Sequence, residues 1–151
     1  MPAVKWFFRI FMVALVGFLA LQAIPYGRDH ANPRTVREPT WDSTQTRTLA
    51  RQACFDCHSN ITEYPWYSNV APVSWLLERD VVDGRKVLNF SDWNRPQDTD
   101  LAEVVESLED DAMPPLYYRL LHEDSRLSAL ERQQLRAGLV RTWTASPPGE
   151  S

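Results

Sequence analysis

The chain has 151 residues, which allows one domain and an appendage. It carries 16 basic and 20 acidic residues; the first 28 residues hold three of the basic ones and none of the acidic ones, which leaves 13 and 20, a net charge of −7, for the remainder. Nucleic acid is excluded as a partner, because phosphate binding needs a basic surface. The acidic remainder suits a partner with a basic docking surface, or simple solubility.

The first predicted element is an apolar segment. Residues 6–24 are apolar apart from Arg9 and Gln22, and their number is close to the roughly 20 residues with which a helix spans a bilayer. The segment ends in a poor match to a signal-peptide cleavage site. We therefore predict that residues 1–28 form an uncleaved transmembrane anchor, with a cleaved signal as the alternative. Lys5 and Arg9 predict a cytoplasmic amino terminus, which places the rest of the chain outside.

The remainder predicts an all-α domain. Residues 29–42 contain two prolines and little periodicity and are expected to form an extended linker; residues 43–145 form the domain and residues 146–151 a disordered tail. No stretch alternates apolar and polar residues over the length of a strand. Periodicity and capping residues predict four helices. The first begins at Ser43 or Thr44 and ends near Cys54, and the second runs from Pro72 to about Asp83 with an interruption at Gly84. The third has Asp98 or Thr99 as its N-cap and continues through Leu108, and the fourth follows a capping box of Ser128 and Glu131.

The most informative motif is Cys54-Phe55-Asp56-Cys57-His58, which contains both cysteines of the chain and one of its three histidines. This spacing is the attachment signature of c-type haem. The two thiols can each add to a vinyl group on one edge of the porphyrin, and the imidazole behind them can bind the iron from the proximal side. We predict one covalent haem c, held by Cys54 and Cys57, with His58 as the proximal iron ligand.

Three other interpretations of the cysteines fit less well. A thioredoxin-like redox pair usually lies near a βαβ pattern, and the chain has no such pattern. A structural zinc ion needs four ligands, and only His30 and His122 remain as further histidines. A disulfide across so short a loop would stabilise the fold little.

Two residues are candidates for the distal position of the iron. Met113 precedes Pro114 and Pro115, and it is expected on a stiff, extended strap because proline disfavours helix in the residue before it. A methionine ligand raises the reduction potential, although many methionines only fill a core. His122 is the alternative distal ligand and would give a lower potential. The third alternative is an iron without a distal protein ligand, open for catalysis or gas binding.

Tryptophan is frequent in this chain, with six residues in 151. Trp66, Trp75 and Trp93 fall where the wall of a haem pocket is expected, and Trp66 and Trp75 are the candidates for contact with the haem. Ordinary packing in an aromatic core explains each of them equally well.

The cysteine motif, the Met-Pro-Pro strap and the capped C-terminal helix together resemble the class I c-type cytochromes. More narrowly, the chain resembles the small membrane-anchored bacterial haem-binding domain family. The residues that carry this resemblance lie in six segments, namely 25–28, 54–60, 64–67, 71–75, 88–93 and 113–115. Arg34 and Glu123 depart from the family pattern, each where proline is expected, and neither bears on the iron chemistry.

The resemblance implies a cytochrome c-like fold around a covalent haem, with His58 proximal and Met113 distal. The leading hypothesis is a monohaem electron carrier rather than an enzyme, tethered to the periplasmic side of the bacterial inner membrane and exchanging single electrons with redox partner proteins. The alternative is a haem-based enzyme or sensor, peroxidase-like or gas-binding, with a displaceable distal ligand. A third hypothesis is a subunit of a larger complex in which the haem is a fixed relay.

Overall fold

The computed structural model describes residues 2–149, with side chains from residue 4 onward. In this part of the chain there are seven α-helices and two short 3-10 helices but no strand, which confirms the all-α prediction. The α-helices are α1 Pro2–Leu21, α2 Thr44–Ala53, α3 Phe55–His58, α4 Val73–Val87, α5 Leu101–Glu109, α6 Leu116–Leu121 and α7 Ala129–Ala145, and the 3-10 helices are Trp66–Asn69 and Glu123–Ser125.

The chain divides into two compact units. Unit 1 comprises Met1–Ala31 and Tyr64–Asp80, and unit 2 comprises Asn32–Glu63 and Val81–Ser151. Unit 1 contains α1, whose residues Val4–Leu21 are long and apolar enough to cross a membrane, by length and composition alone, and are not buried by the rest of the protein. Unit 2 contains the hydrophobic core and both cysteines.

Two helices supply the aliphatic part of the core of unit 2. Ser43 caps α2, because its hydroxyl accepts a hydrogen bond from the backbone N–H of Thr46 at 3.1 Å. Leu49 of α2 and Leu135 and Leu139 of α7 are buried in the same cluster. The predicted capping box of α7, Ser128 with Glu131, is confirmed.

Aromatic side chains form the rest of the core. Phe90 stacks on Phe55 at a centroid distance of 5.6 Å and on Trp93 at 5.7 Å, and Trp93 meets Trp143 edge to face at 4.9 Å. Such pairs stabilise a core beyond the area that they bury. Trp93 is 1 % exposed and its Nε1 donates to the carbonyl of Ser146 at 2.7 Å, so this residue belongs to the core of unit 2.

The segment predicted as a linker is extended, and from residue 32 it packs onto unit 2. The backbone N–H groups of Val36 and Arg37 both donate to the carbonyl of Ser91, at 2.9 and 3.0 Å. At the opposite end of the chain, Gly149 donates to the carbonyl of Trp93 at 2.9 Å. Residues 150 and 151, the end of the predicted disordered tail, lie outside the described residues.

Two local expectations were wrong, and one helix was missed. Gly84 does not interrupt α4, which continues to Val87, because a single glycine costs a helix only about 1 kcal/mol relative to alanine. The N-cap of α5 is Asp100, which accepts from the N–H of Glu103 at 2.9 Å, and not Asp98 or Thr99. Helix α6 was not expected, since six residues are too few to show a helical period.

We expect Glu38→Gln to destabilise unit 2 by about 1 kcal/mol at neutral pH and by less in acid. The Glu38 carboxylate accepts two hydrogen bonds of 2.7 Å from Arg47 and one of 2.8 Å from Trp41, and the Arg47 guanidinium lowers the pKa of Glu38. A carboxyl group whose pKa is lowered by folding stabilises the fold above its unfolded pKa, and this contribution disappears as the pH falls through the folded pKa.

Urea unfolding of both proteins at neutral pH and below the folded pKa of Glu38 measures this difference. Glu63→Gln is the matched control, because the ion pair of Glu63 with Arg51 is exposed and should contribute little. A destabilisation by Glu38→Gln that is equally large at both pH values would contradict a stabilising role of the ionised Glu38 carboxylate.

Candidate haem site

The cysteine motif forms one tight turn between two helices. Cys54 ends α2 and precedes α3, and the backbone N–H groups of Cys57 and His58 both donate to its carbonyl, at 3.2 and 2.8 Å. Residues three apart in such a turn project from the same side. Neither Cys54 nor Cys57 is part of a disulfide, and burial, with a smaller contribution from Cys57, raises the pKa of Cys54 to about 12. The Cys54 thiol therefore stays protonated at neutral pH.

The imidazole of His58 is held in one tautomer by α4. Its Nδ1 lies 3.0 Å from the carbonyl oxygen of Gly84 and 3.1 Å from that of Leu88. Since carbonyls only accept, Nδ1 carries the proton and Nε2 has a free lone pair. Burial lowers the pKa of His58, although the two hydrogen bonds act in the opposite direction. Nε2 has no hydrogen-bond partner among residues 2–149, so a neutral imidazole presents a metal-binding nitrogen.

Gly84 allows this approach because it has no side chain. A Cβ at position 84 would lie 2.4 Å from the carbonyl oxygen and 3.1 Å from the Cβ of Cys57. The helix that orients His58 therefore packs directly on the backbone of the second cysteine.

We expect Gly84→Ala to destabilise the protein by about 1–3 kcal/mol and to lower its haem content, because relief of the clash must move Cys57. Gly138→Ala is the first control: its Cβ would clash with Thr46, so it should lower the melting temperature while the folded fraction keeps a native visible spectrum. Gly17→Ala meets nothing within 4 Å and should change neither quantity. A Gly84→Ala protein with wild-type stability and haem content would contradict the close packing.

Polar side chains that the sequence analysis did not single out fix the chain that follows His58. The N–H of Asn60 donates to the Ser91 hydroxyl at 2.9 Å, and Asn89 donates to the side-chain oxygen of Asn60 at 2.9 Å. Arg85 donates to the carbonyl of Ser59 at 2.8 Å, and the carbonyl of His58 itself accepts from the N–H of Phe90 at 2.8 Å. These polar residues lie mostly in segments 54–60 and 88–93, which the sequence analysis had marked as family segments. Nothing in the sequence indicates that the two segments contact each other.

Met113 lies on the predicted strap, between α5 and α6. Its backbone N–H donates to the carbonyl of Ser107 at 3.1 Å, and its side chain is 41 % exposed. The side chain lines a cavity of about 320 Å³ together with apolar residues of α5 and α6 and three arginines. Cys54, Cys57 and His58 are not among the residues that line this cavity, so this cavity does not contain both the predicted distal methionine and the cysteine motif.

His122 is connected to the cysteine motif through Tyr118. The ring of His122 stacks on that of Tyr118 at 4.0 Å, and its Nδ1 lies 3.0 Å from the Tyr118 carbonyl oxygen. The Tyr118 hydroxyl donates to the carboxylate of Asp56, between the two cysteines, at 2.5 Å. The second candidate for the distal position is thus held near the motif by α6.

Trp66 and Trp75, the two candidates for the pocket wall, belong to unit 1, whereas the cysteine motif, Met113 and His122 belong to unit 2. Trp66 is 80 % exposed. Trp75 is partly buried, and its Nε1 has no hydrogen-bond partner among residues 2–149.

The geometry bears on the other interpretations of the cysteines. No group of three or more histidine, cysteine, aspartate or glutamate side chains in the described part of the chain could hold a metal ion, so the ligand set of a structural zinc site is not assembled there. Cys54 and Cys57 are not joined by a disulfide.

Two thiols one turn apart, with an oriented neutral imidazole directly behind them, are the site of a haem-binding protein. Residues 16–141 match the model of the family described as "Haem-binding domain", and the chain belongs to this family. No curated protein matches the chain, and neither does any solved structure.

Proposed function

We propose that the protein is a monohaem c-type cytochrome that acts as a one-electron carrier, tethered to the periplasmic side of the bacterial inner membrane. The observation that carries the proposal is the His58 imidazole, whose Nδ1 is bound by two carbonyls and whose Nε2 is free, directly behind two thiols that are not joined in a disulfide. This arrangement fits a haem attached through Cys54 and Cys57 and bound at the iron by His58.

Each thiol would add its S–H across one vinyl group, so that sulfur bonds to one vinyl carbon and hydrogen to the other. The haem supplies an iron that changes its charge by one electron. The rest of unit 2 fits such a flat apolar group. Helix α6 consists mainly of apolar residues but buries none of its side chains fully, and Leu116, Leu120 and Leu121 are exposed. A porphyrin beside α6 would remove this apolar surface from water.

Met113 is the proposed distal ligand. A thioether in that position favours the reduced iron and therefore a high reduction potential. With His58 and Met113 both bound, no ligand has to leave during electron transfer. The net charge of −7 beyond residue 28 favours redox partners with a basic docking surface.

The membrane tether rests on α1. Its residues Val4–Leu21 have the length and composition of a spanning helix, and Lys5 and Arg9 favour a cytoplasmic amino terminus. The haem domain would then lie in the periplasm, where c-type haem is attached.

A haem-based enzyme or sensor is the second candidate function, and one observation favours it. Met113 lines a cavity that does not include the cysteine motif, whereas His122 is linked to Asp56 through Tyr118. An imidazole near an open iron would be the acid–base group that peroxidase chemistry needs.

Two measurements test the proposal. After acid–acetone extraction of the purified protein, the colour should stay with the polypeptide, because thioether bonds survive this treatment; free haem in the organic phase would contradict covalent attachment. In the oxidised protein, a methionine–iron charge-transfer band at the red end of the visible spectrum supports the carrier. A high-spin spectrum supports the enzyme or sensor instead.

A further inference from the structure

In unit 1, residues 64–76 are fixed to the C-terminal end of α1. The side chain of Gln22, one residue beyond α1, pairs with the backbone of Ala71: Nε2 donates to the Ala71 carbonyl at 2.9 Å, and Oε1 accepts from the Ala71 N–H at 3.0 Å. Two hydrogen bonds in opposite directions set both the position and the orientation of Ala71.

Two further contacts hold the same residues. Gly27 has a φ of +74°, and a Cβ on it would lie 2.3 Å from the carbonyl oxygen of Ser74, so the two backbones touch. His30 lies 3.2 Å from the carbonyl oxygen of Ser68 through Nε2 and stacks on Tyr64 at 4.3 Å. Residues 64–76 are therefore fixed in position relative to the C-terminal end of α1.

The length of α1 sets the level of these contacts in a bilayer. The 18 residues Val4–Leu21 span about 27 Å at 1.5 Å per residue, close to the roughly 30 Å of a hydrocarbon core. Gln22 then lies at the boundary between acyl chains and headgroups, and Ala71 lies at the same level. This step rests on the proposed membrane anchor.

The side chains near the end of α1 are of two kinds, buried and exposed. Ser68, Ala71 and Ser74 are buried within the protein, whereas Trp66 is exposed and Tyr26 is 54 % exposed. Tryptophan and tyrosine are enriched at the membrane–water interface, because their rings are amphipathic.

We propose that residues 64–76 form a second membrane contact, in which Trp66, together with Tyr26, lies among the lipid headgroups. Unit 1 is then held at the bilayer by a surface segment as well as by α1. The partner is phospholipid, because the hydrogen bonds of Gln22 and the close contact of Gly27 fix residues 64–76 to the end of the proposed lipid-spanning helix.

Photo-cross-linking in membranes tests this proposal with the full-length haem protein. Benzoylphenylalanine replaces Trp66 in one variant, Phe11 in a second and Leu130 in a third; Phe11 lies within α1, and Leu130, 63 % exposed, is the matched control in unit 2. After irradiation, mass spectrometry should find lipid adducts at 66 and at 11 but not at 130.

Each other outcome overturns the surface contact, and one of them overturns the anchor as well. Lipid adducts at 11 together with protein adducts, or no adducts, at 66 would leave the anchor intact and overturn the surface contact. Equal lipid yields at 66 and 130 would also overturn it, because the contact would not be specific to residues beside α1. No lipid adduct at 11 would overturn the anchor itself, and with it the surface contact.

Discussion

Replacement of both Cys54 and Cys57 by alanine should abolish covalent haem and leave little or no haem in the purified protein. No other cysteine is available in the chain, so both thioether bonds are lost. His58 would remain oriented by Gly84 and Leu88, but a single imidazole cannot replace two covalent bonds. Haem staining of a denaturing gel measures the loss directly.

Variants that lack only one of the two cysteines should show a smaller loss of haem. Cys54→Ala and Cys57→Ala each leave one thioether and one unreacted vinyl group, so the pyridine haemochrome band should move to longer wavelength and the yield of mature protein should fall. Ser59→Ala is the matched control, since Ser59 follows the motif directly and its hydroxyl bonds to the backbone of Phe55 and Ile61; it should keep the covalent haem. Retention of covalent haem by the double variant would refute the attachment.

The second large effect is expected from Met113→Ala. If Met113 binds the iron, the variant keeps its haem but loses the charge-transfer band, and the iron becomes high-spin or binds water. Its reduction potential should fall by a substantial part of the roughly 0.8 V over which axial ligands set haem potentials. The open site should bind carbon monoxide or cyanide readily, and peroxidase activity should rise.

Two further substitutions make this test discriminating. Met12→Ala, in α1, should change neither spectrum nor potential. His122→Ala should be native-like if methionine is the ligand, whereas under bis-histidine ligation it is the variant that opens the iron. A native spectrum and potential in Met113→Ala would show that this methionine only lines its cavity, and the carrier hypothesis would lose its main support.

Local signals in this sequence were sufficient for much of the fold. The capping box at Ser128 was predicted, and the start of α2 was placed at Ser43 or Thr44, because such signals depend on residues within one turn. The cysteine motif was equally readable, because its five residues are consecutive. The N-cap of α5 was misplaced by one or two residues, since Asp98, Thr99 and Asp100 are all residues that favour this position.

What the sequence could not supply are contacts between distant residues. Gly84 suggested an interruption of α4, but its role depends on the backbone of Cys57, 27 residues earlier, which packs where a side chain would stand. The acceptors of His58 Nδ1 are backbone carbonyls, which every residue possesses and no pattern marks. The pairing of Asn60 with Asn89 is of the same long-range kind.

The cysteine motif and the carbonyls that orient His58 lie far apart in the sequence, so the ribosome synthesises them at different times. The thiols and the imidazole are synthesised together, in five consecutive residues, but the carbonyls that orient the imidazole belong to residues 26 and 30 positions later. If the haem is attached as proposed, a nascent chain that ends before Gly84 already contains the five residues of the motif but lacks the carbonyls that orient the imidazole. Chains that extend beyond Leu88 contain both, so under this proposal the motif and the orientation of its iron ligand are completed at different points of synthesis.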